Sequence, residues 1–202
     1  MSTNNHQRIG ALYYATRDGQ SRRIAEHIFR RLAESKTLSP PQDLAQALPA
    51  PADLAAASVV VVVAAVRYGR HLPEADRFLA AYRLLNSPPP LALASVNLTA
   101  RKPAKTTAAG NAYLRKVIAR HRLTPALAIA FAGQLDYRRY GWFDRQIIRF
   151  IMLLTGGPTS PDACVEYTSW PAVDEFAGQI GDLVSDKRLA SVGPAGSQRT
   201  SY

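Results

Sequence analysis

The sequence predicts a doubly wound α/β domain: five parallel strands in the order 2-1-3-4-5, with helices on both faces. Three observations carry this. Val59 to Val66 is an unbroken apolar run dominated by valine, the pattern of a parallel strand covered on both sides. Apolar runs alternate with segments of helical spacing, so the connections are crossovers and the strands lie parallel. Between the first apolar run and the first amphipathic segment sits Thr16-Arg17-Asp18-Gly19-Gln20-Ser21, a strand-to-helix turn of the kind that meets ligands at the carboxyl edge of such sheets. The 202 residues suffice for one domain, read here as 8–184, with 1–7 and 185–202 as disordered termini.

Ile9 to Ala15 is the first strand, and Ser21 to Ala33 places Ile24, Ala25, Ile28, Phe29 and Leu32 on one helical face. Leu38 to Leu54 holds Pro40, Pro41, Pro49 and Pro51, so a strand near Gln42 to Ala45 must be short and at a sheet edge. The valine run forms the sheet centre. Arg67 to His71 reads as a loop, and Pro73 opens a helix that ends near Leu85, ahead of Pro88-Pro89-Pro90. Leu91 to Val96 is the next buried strand. A helix from about Thr107 to His121 follows, then a short strand from Ala126 to Ala132 and a last helix from Trp170 to Val184.

Lys plus Arg exceed Asp plus Glu by 25 to 15, a net charge of +10, so an anionic partner is expected. The single cysteine, Cys164, excludes an internal disulfide and a thiolate zinc cluster. No metal site is expected. The polar start, Met1 to Arg8, lacks an apolar core of signal-peptide length, and the expectation is a cytoplasmic protein.

Three loops converge at the switch point between strands 1 and 3. Thr16 to Ser21 suits a phosphate: the N–H groups at a helix start are unpaired, the helix dipole is positive there, Gly19 permits close approach, and Thr16 and Ser21 carry hydroxyls. An ordinary helix capped by Thr16 or Asp18 would look the same. Arg67-Tyr68-Gly69 offers a ring for stacking, or a plain surface aromatic. Asn97 to Lys102 offers amide and backbone donors, or, at Asn97, a turn cap. No residue stands out as a general base.

Gly133 to Pro161 is too long for a routine connection. It mixes Tyr137, Arg138, Arg139, Tyr140, Trp142 and Arg145 with an apolar stripe through Ile147, Phe150, Ile151 and Leu154. Crossing a bilayer takes about 20 apolar residues, so the stripe lies in a membrane interface, or packs on protein in a core or homo-oligomer contact. No nucleic-acid module is visible.

Taken in order, Thr16-Arg17-Asp18-Gly19-Gln20, Arg67-Tyr68-Gly69, Ser95-Val96-Asn97-Leu98, Ala100-Arg101-Lys102-Pro103, Trp142, Asp144-Arg145 and Thr155-Gly156-Gly157 resemble the flavodoxin-like, quinone-dependent protoporphyrinogen IX dehydrogenases. The resemblance runs from about Ile9 to Leu183. It implies a flavodoxin-like three-layer sandwich with a long amphipathic insert, and FMN held by Thr16, Arg17, Asp18, Gly19, Gln20, Ser21, Arg67, Tyr68, Gly69, Ser95, Val96, Asn97 and Leu98. It also implies oxidation of protoporphyrinogen IX with menaquinone or ubiquinone as acceptor, in haem synthesis, on the cytoplasmic face of the inner membrane. Arg138, Arg139, Tyr140, Trp142 and Arg145 become substrate or membrane contacts. Ala15 departs from the pattern, standing where the family often has serine. An NAD(P)H-dependent quinone reductase and a flavodoxin-type electron shuttle share the fold, although the charge of +10 argues against a shuttle.

Overall fold

The computed structural model describes residues 9–35, 37–136 and 164–191. Strand β1 (Ala11–Ala15) leads to helix α1 (Gln20–Arg31), the two-residue strand β2 (Gln42–Asp43) and the short helix α2 (Pro51–Ala56). Next come β3 (Val60–Arg67), β4 (Arg70–His71), α3 (Pro73–Arg83) and β5 (Leu91–Val96). Two 3-10 turns, Leu98–Arg101 and Pro103–Lys105, precede α4 (Ala112–His121) and β6 (Leu127–Phe131). Strands β7 (Gln134–Asp136) and β8 (Cys164–Glu166) and helix α5 (Trp170–Ser191) complete the described chain.

The main sheet runs β2-β1-β3-β5-β6, all parallel, which is the expected order once the small β4 is set aside. Alternation along the strands divides the core. Tyr13, Val60, Val62, Ala64, Leu91 and Leu93 face α2, α3 and α4, where Leu54, Phe78, Leu79 and Leu114 cover them. Leu12, Tyr14, Val61, Val63, Ala92 and Ala94 face α1 and α5, packed by Ile24, Ile28, Val173, Phe176 and Ile180. The valine run is therefore buried on both sides, and Val60 to Val63 have no exposed surface.

Four elements differ from the sequence expectation. Arg67 to His71 is a hairpin, not a loop: β4 pairs antiparallel with β3, Val66 opposite His71 and Arg67 opposite Arg70. Helix α2 forms inside the proline-rich stretch because Pro51 occupies a first-turn position, where its missing N–H costs nothing. Helix α4 begins at Ala112, not Thr107, because the Asn111 side chain caps it by accepting from the N–H groups of Tyr113 and Leu114. Helix α5 continues past Ser185 to Ser191. Strands β7 and β8 form an antiparallel ribbon at the base of the insert. Arg138, Arg139, Tyr140, Trp142 and Arg145, expected to meet substrate or membrane, lie outside the described residues.

Candidate functional site

The first turn after β1 is shaped by two local devices. Thr16 Oγ1 accepts from the Gly19 N–H at 3.0 Å, closing a hydroxyl turn. Gly19 then takes the left-handed conformation, φ 88°, that a side chain would disfavour, and serves as the N-cap of α1. The N-cap is Gly19 rather than Thr16 or Asp18, and among the described residues it brings no side-chain cap hydrogen bond to the helix. Its first turn holds no acidic residue. Ser21 is buried there, and its Oγ has no hydrogen-bond partner. A buried, unpaired hydroxyl costs about 1–3 kcal/mol unless something occupies the space before it. A phosphate at the open N-terminus of α1 would satisfy the hydroxyl and the helix N–H groups together.

The space is a cavity of about 530 Å³ at the carboxyl edge of the sheet, walled by all three predicted loops. Thr16, Arg17, Asp18, Gln20 and Ser21 line one end. The β3–β4 hairpin supplies Arg67, Tyr68 and Gly69, and the end of β5 supplies Val96, Asn97, Leu98 and Thr99. Ala65, Val66 and Leu72 make part of the lining apolar. Such a volume with few polar groups at fixed points suits a mononucleotide-sized aromatic ligand.

Two ion pairs tie the phosphate turn to its neighbours. Arg17 Nη1 lies 3.3 Å from Oε1 of Glu74, a carboxylate buried at the start of α3. Asp18 Oδ1 lies 3.4 Å from Arg67 Nη1. The Arg67 guanidinium in turn sits 5.5 Å from the centroid of the Tyr68 ring. Tyr68 is 66% exposed and adopts φ 50°, followed by Gly69 at φ 76°, the two successive left-handed residues of a tight hairpin turn. A tyrosine there stores of order 1 kcal/mol of strain. The turn thereby keeps a large ring at the cavity mouth rather than in the core.

Several candidates do other work. Gln20 lines the cavity while its amide is engaged by β8 and the residues after it: Nε2 donates to Glu166 Oε1 at 3.0 Å and to Thr168 Oγ1 at 2.8 Å. Arg23 donates to Gln20 Oε1 at 2.9 Å and pairs with Glu166 at 3.3 Å. Ser95, fully buried, is not among the lining residues. The Asn97 side chain is held internally: its Nδ2 donates to Ser95 Oγ at 3.0 Å, and its Oδ1 accepts from Thr99 Oγ1 at 2.6 Å and from Asn111 Nδ2 at 3.1 Å. Its own N–H donates to the Phe131 carbonyl. Leu98 and Thr99 also line this wall, and their N–H groups open a 3-10 turn and have no partner within it.

His71, Glu74, Thr99, Tyr113 and Gln134 escape a reading by motif. His71 Nε2 meets Ser95 Oγ at 2.9 Å, and burial pushes its imidazole down from 6.5 to about 4, so it is neutral at pH 7. Nearby, burial pushes the Asp76 carboxyl up, but hydrogen bonds from His121 and Arg120 outweigh that and hold it below its ordinary value. Among the described residues no cluster of His, Cys, Asp or Glu could hold a metal.

Residues 11–162 match the family model described as flavodoxin domain. The chain is 35% identical over 180 residues to a protein of Escherichia coli strain K12 named protoporphyrinogen IX dehydrogenase (quinone), a match that covers 88% of this chain and 97% of that protein. It is 38% identical over 173 residues to a protein of the same name from Leishmania major, covering 85% of this chain and 74% of that one. Among solved structures, oxidised Flavodoxin 1 from Bacillus cereus superposes with a TM-score of 0.50 at 11% identity, over 87% of this chain and 96% of that one. The rubredoxin oxygen:oxidoreductase of Desulfovibrio gigas gives 0.53 at 11% identity, over 90% of this chain and 38% of that one. These two share the fold.

Proposed function

The chain belongs to the flavodoxin domain family, among its quinone-dependent protoporphyrinogen IX dehydrogenases, and we propose that it is an FMN enzyme oxidising protoporphyrinogen IX to protoporphyrin IX with a quinone acceptor. The single observation that carries the cofactor assignment is the uncapped start of α1, with the orphaned, buried Ser21 hydroxyl on a residue that lines a cavity of mononucleotide size. The residues present fit the group. Thr16, Gly19 and Ser21 would hold its phosphate, Tyr68 would cover its ring, and the Leu98 and Thr99 N–H groups would meet its polar edge. Bound FMN supplies a two-electron acceptor whose electrons can pass on to quinone.

The chain's own part is binding and orientation. Going from porphyrinogen to porphyrin takes three two-electron oxidations, so the macrocycle must be held and re-presented rather than attacked by a side chain. Its propionates suit the arginines at the cavity mouth, Arg17 and Arg67. Asp18, the carboxylate among the described lining residues, is paired with Arg67 and has no call to act as a base. Neutral His71 turns its Nε2 to Ser95.

We also propose peripheral attachment to the cytoplasmic face of the inner membrane through the insert, with Arg138, Arg139 and Arg145 against anionic lipid and Tyr140 and Trp142 at headgroup depth. The net charge of +10, the apolar stripe after Trp142 and the residence of quinone in lipid support that reading. Among the described residues no helix is long and apolar enough to cross a membrane. The half-reaction tests the enzyme assignment: anaerobic protoporphyrinogen IX should bleach the flavin absorbance of the FMN-loaded protein faster than NADPH does. Bleaching by NADPH alone would replace this reading with a quinone reductase.

A further inference from the structure

Behind the cavity wall runs a line of buried polar groups that the reaction does not use. It starts at the N-terminus of α4, where the N–H groups of Tyr113 and Leu114 both donate to Asn111 Oδ1 at 3.1 Å. Two N–H donors on one atom identify it as the amide oxygen. The Asn111 nitrogen must then face the other way, and there it meets the Lys105 carbonyl at 2.9 Å and Asn97 Oδ1 at 3.1 Å. This fixes the second amide as well. Asn97 Nδ2 is left against Ser95 Oγ at 3.0 Å, so the hydroxyl accepts from Asn97 and keeps its own proton for another partner. That partner is His71 Nε2 at 2.9 Å.

We propose that His71 and Ser95 are positioning residues for the cofactor: a one-way hydrogen-bond chain from the α4 N-terminus through Asn111, Asn97 and Ser95 ends on an unprotonated His71 Nε2 and holds two walls of the cavity together. The inference rests on the reading of the cavity as an FMN site. Each amide orientation is dictated by the one before it, and the helix end dictates the first. Asn111 and Ser95 have no exposed surface and Asn97 is 5% exposed, so no water competes for these groups. His71 lies on the same hairpin as Tyr68, while Asn97 immediately precedes Leu98 and Thr99. The His71–Ser95 contact therefore ties the strained turn that carries the ring to the turn that carries the N–H donors.

Burial keeps His71 neutral, and the charged groups facing it do not reverse that. Asp76 would favour its protonation, but Asp76 is taken by His121 at 2.8 Å and Arg120 at 3.3 Å, and both of those oppose a further cation. With its proton on Nδ1, neutral His71 is the acceptor that the chain requires.

The test uses the full chain labelled with ¹⁵N, FMN-free and FMN-loaded, with the imidazole nitrogens of His71 read by NMR at pH 7 and pH 5.5. The expected result is a proton on Nδ1 and a bare Nε2 at both pH values. A proton on Nε2, or an imidazolium at pH 5.5, would overturn the proposal. Ser95→Ala gives the second readout: FMN should bind about tenfold more weakly, the loss of one buried hydrogen bond, and the visible flavin bands should shift. A folded Ser95→Ala protein with unchanged FMN affinity and spectrum would also overturn it. Were that variant not to fold, the tautomer in the wild-type protein decides alone. A chain that shows the Nδ1 proton but takes up no FMN would overturn the cofactor reading and the positioning role together, whereas a protonated Nε2 in the FMN-loaded protein overturns the chain alone.

Discussion

Ser21, with its orphaned buried hydroxyl, and Tyr68, at φ 50°, each cost stability in the protein as it stands, and the proposed cofactor site would return that cost on binding. Removing the orphaned Ser21 hydroxyl by Ser21→Ala should leave the melting temperature unchanged or slightly higher and weaken FMN about five- to tenfold, the value of one lost charge-assisted hydrogen bond. Fluorescence titration and thermal melts check both halves. Tyr68→Gly removes the positive-φ strain and should raise stability by about 1 kcal/mol in urea unfolding while loosening flavin binding, a pairing that a merely exposed tyrosine would not give. The turn between β1 and α1 was legible in the sequence because its signal is local: a glycine between hydroxyl-bearing residues, after a strand and before a helix. The side-chain partners of Gln20, Ser95 and Asn97 were not, because Glu166, His71 and Asn111 lie far along the chain and only the fold brings them close.

At the scale of elements, the strands and their order follow from pattern, while short pieces do not. Val59 to Val66 announces a central strand by composition alone. The β3–β4 hairpin lacks the Asn-Gly turn that normally signals one, because Tyr68 occupies a position that most sequences give to asparagine or glycine. Helix α2 hid among prolines, and the cap that starts α4 depends on Asn111 rather than on apolar spacing. The β4–α3 region also sets the acid response. The unfolded chain binds a proton at His71 near 6.5 and the folded chain only near 4, so stability is full above about pH 6.5 and falls as pH drops toward 4, by up to about 3 kcal/mol. Asp76, held below its ordinary value, adds a further loss at still lower pH. Urea midpoints measured from pH 7 to pH 4 should show this slope, and His71→Gln, which keeps an acceptor for Ser95, should flatten it.

For the whole molecule, the sheet places the β1–α1 turn, the Tyr68 hairpin and the Leu98–Thr99 turn around one cavity. The Gln20–Glu166–Arg23 contacts join the β7–β8 ribbon to the start of α1. If the insert meets anionic lipid, binding to vesicles should weaken as salt rises, and Arg138→Ala with Arg139→Ala should weaken it by about 1 kcal/mol per arginine in co-sedimentation. The most direct test of the account is anaerobic turnover of protoporphyrinogen IX by the FMN-loaded chain on vesicles containing menaquinone, followed by porphyrin fluorescence. The account predicts sustained formation of protoporphyrin IX that stops when either FMN or quinone is withheld. Flavin uptake with no porphyrin formed beyond the quinone-free control would contradict it.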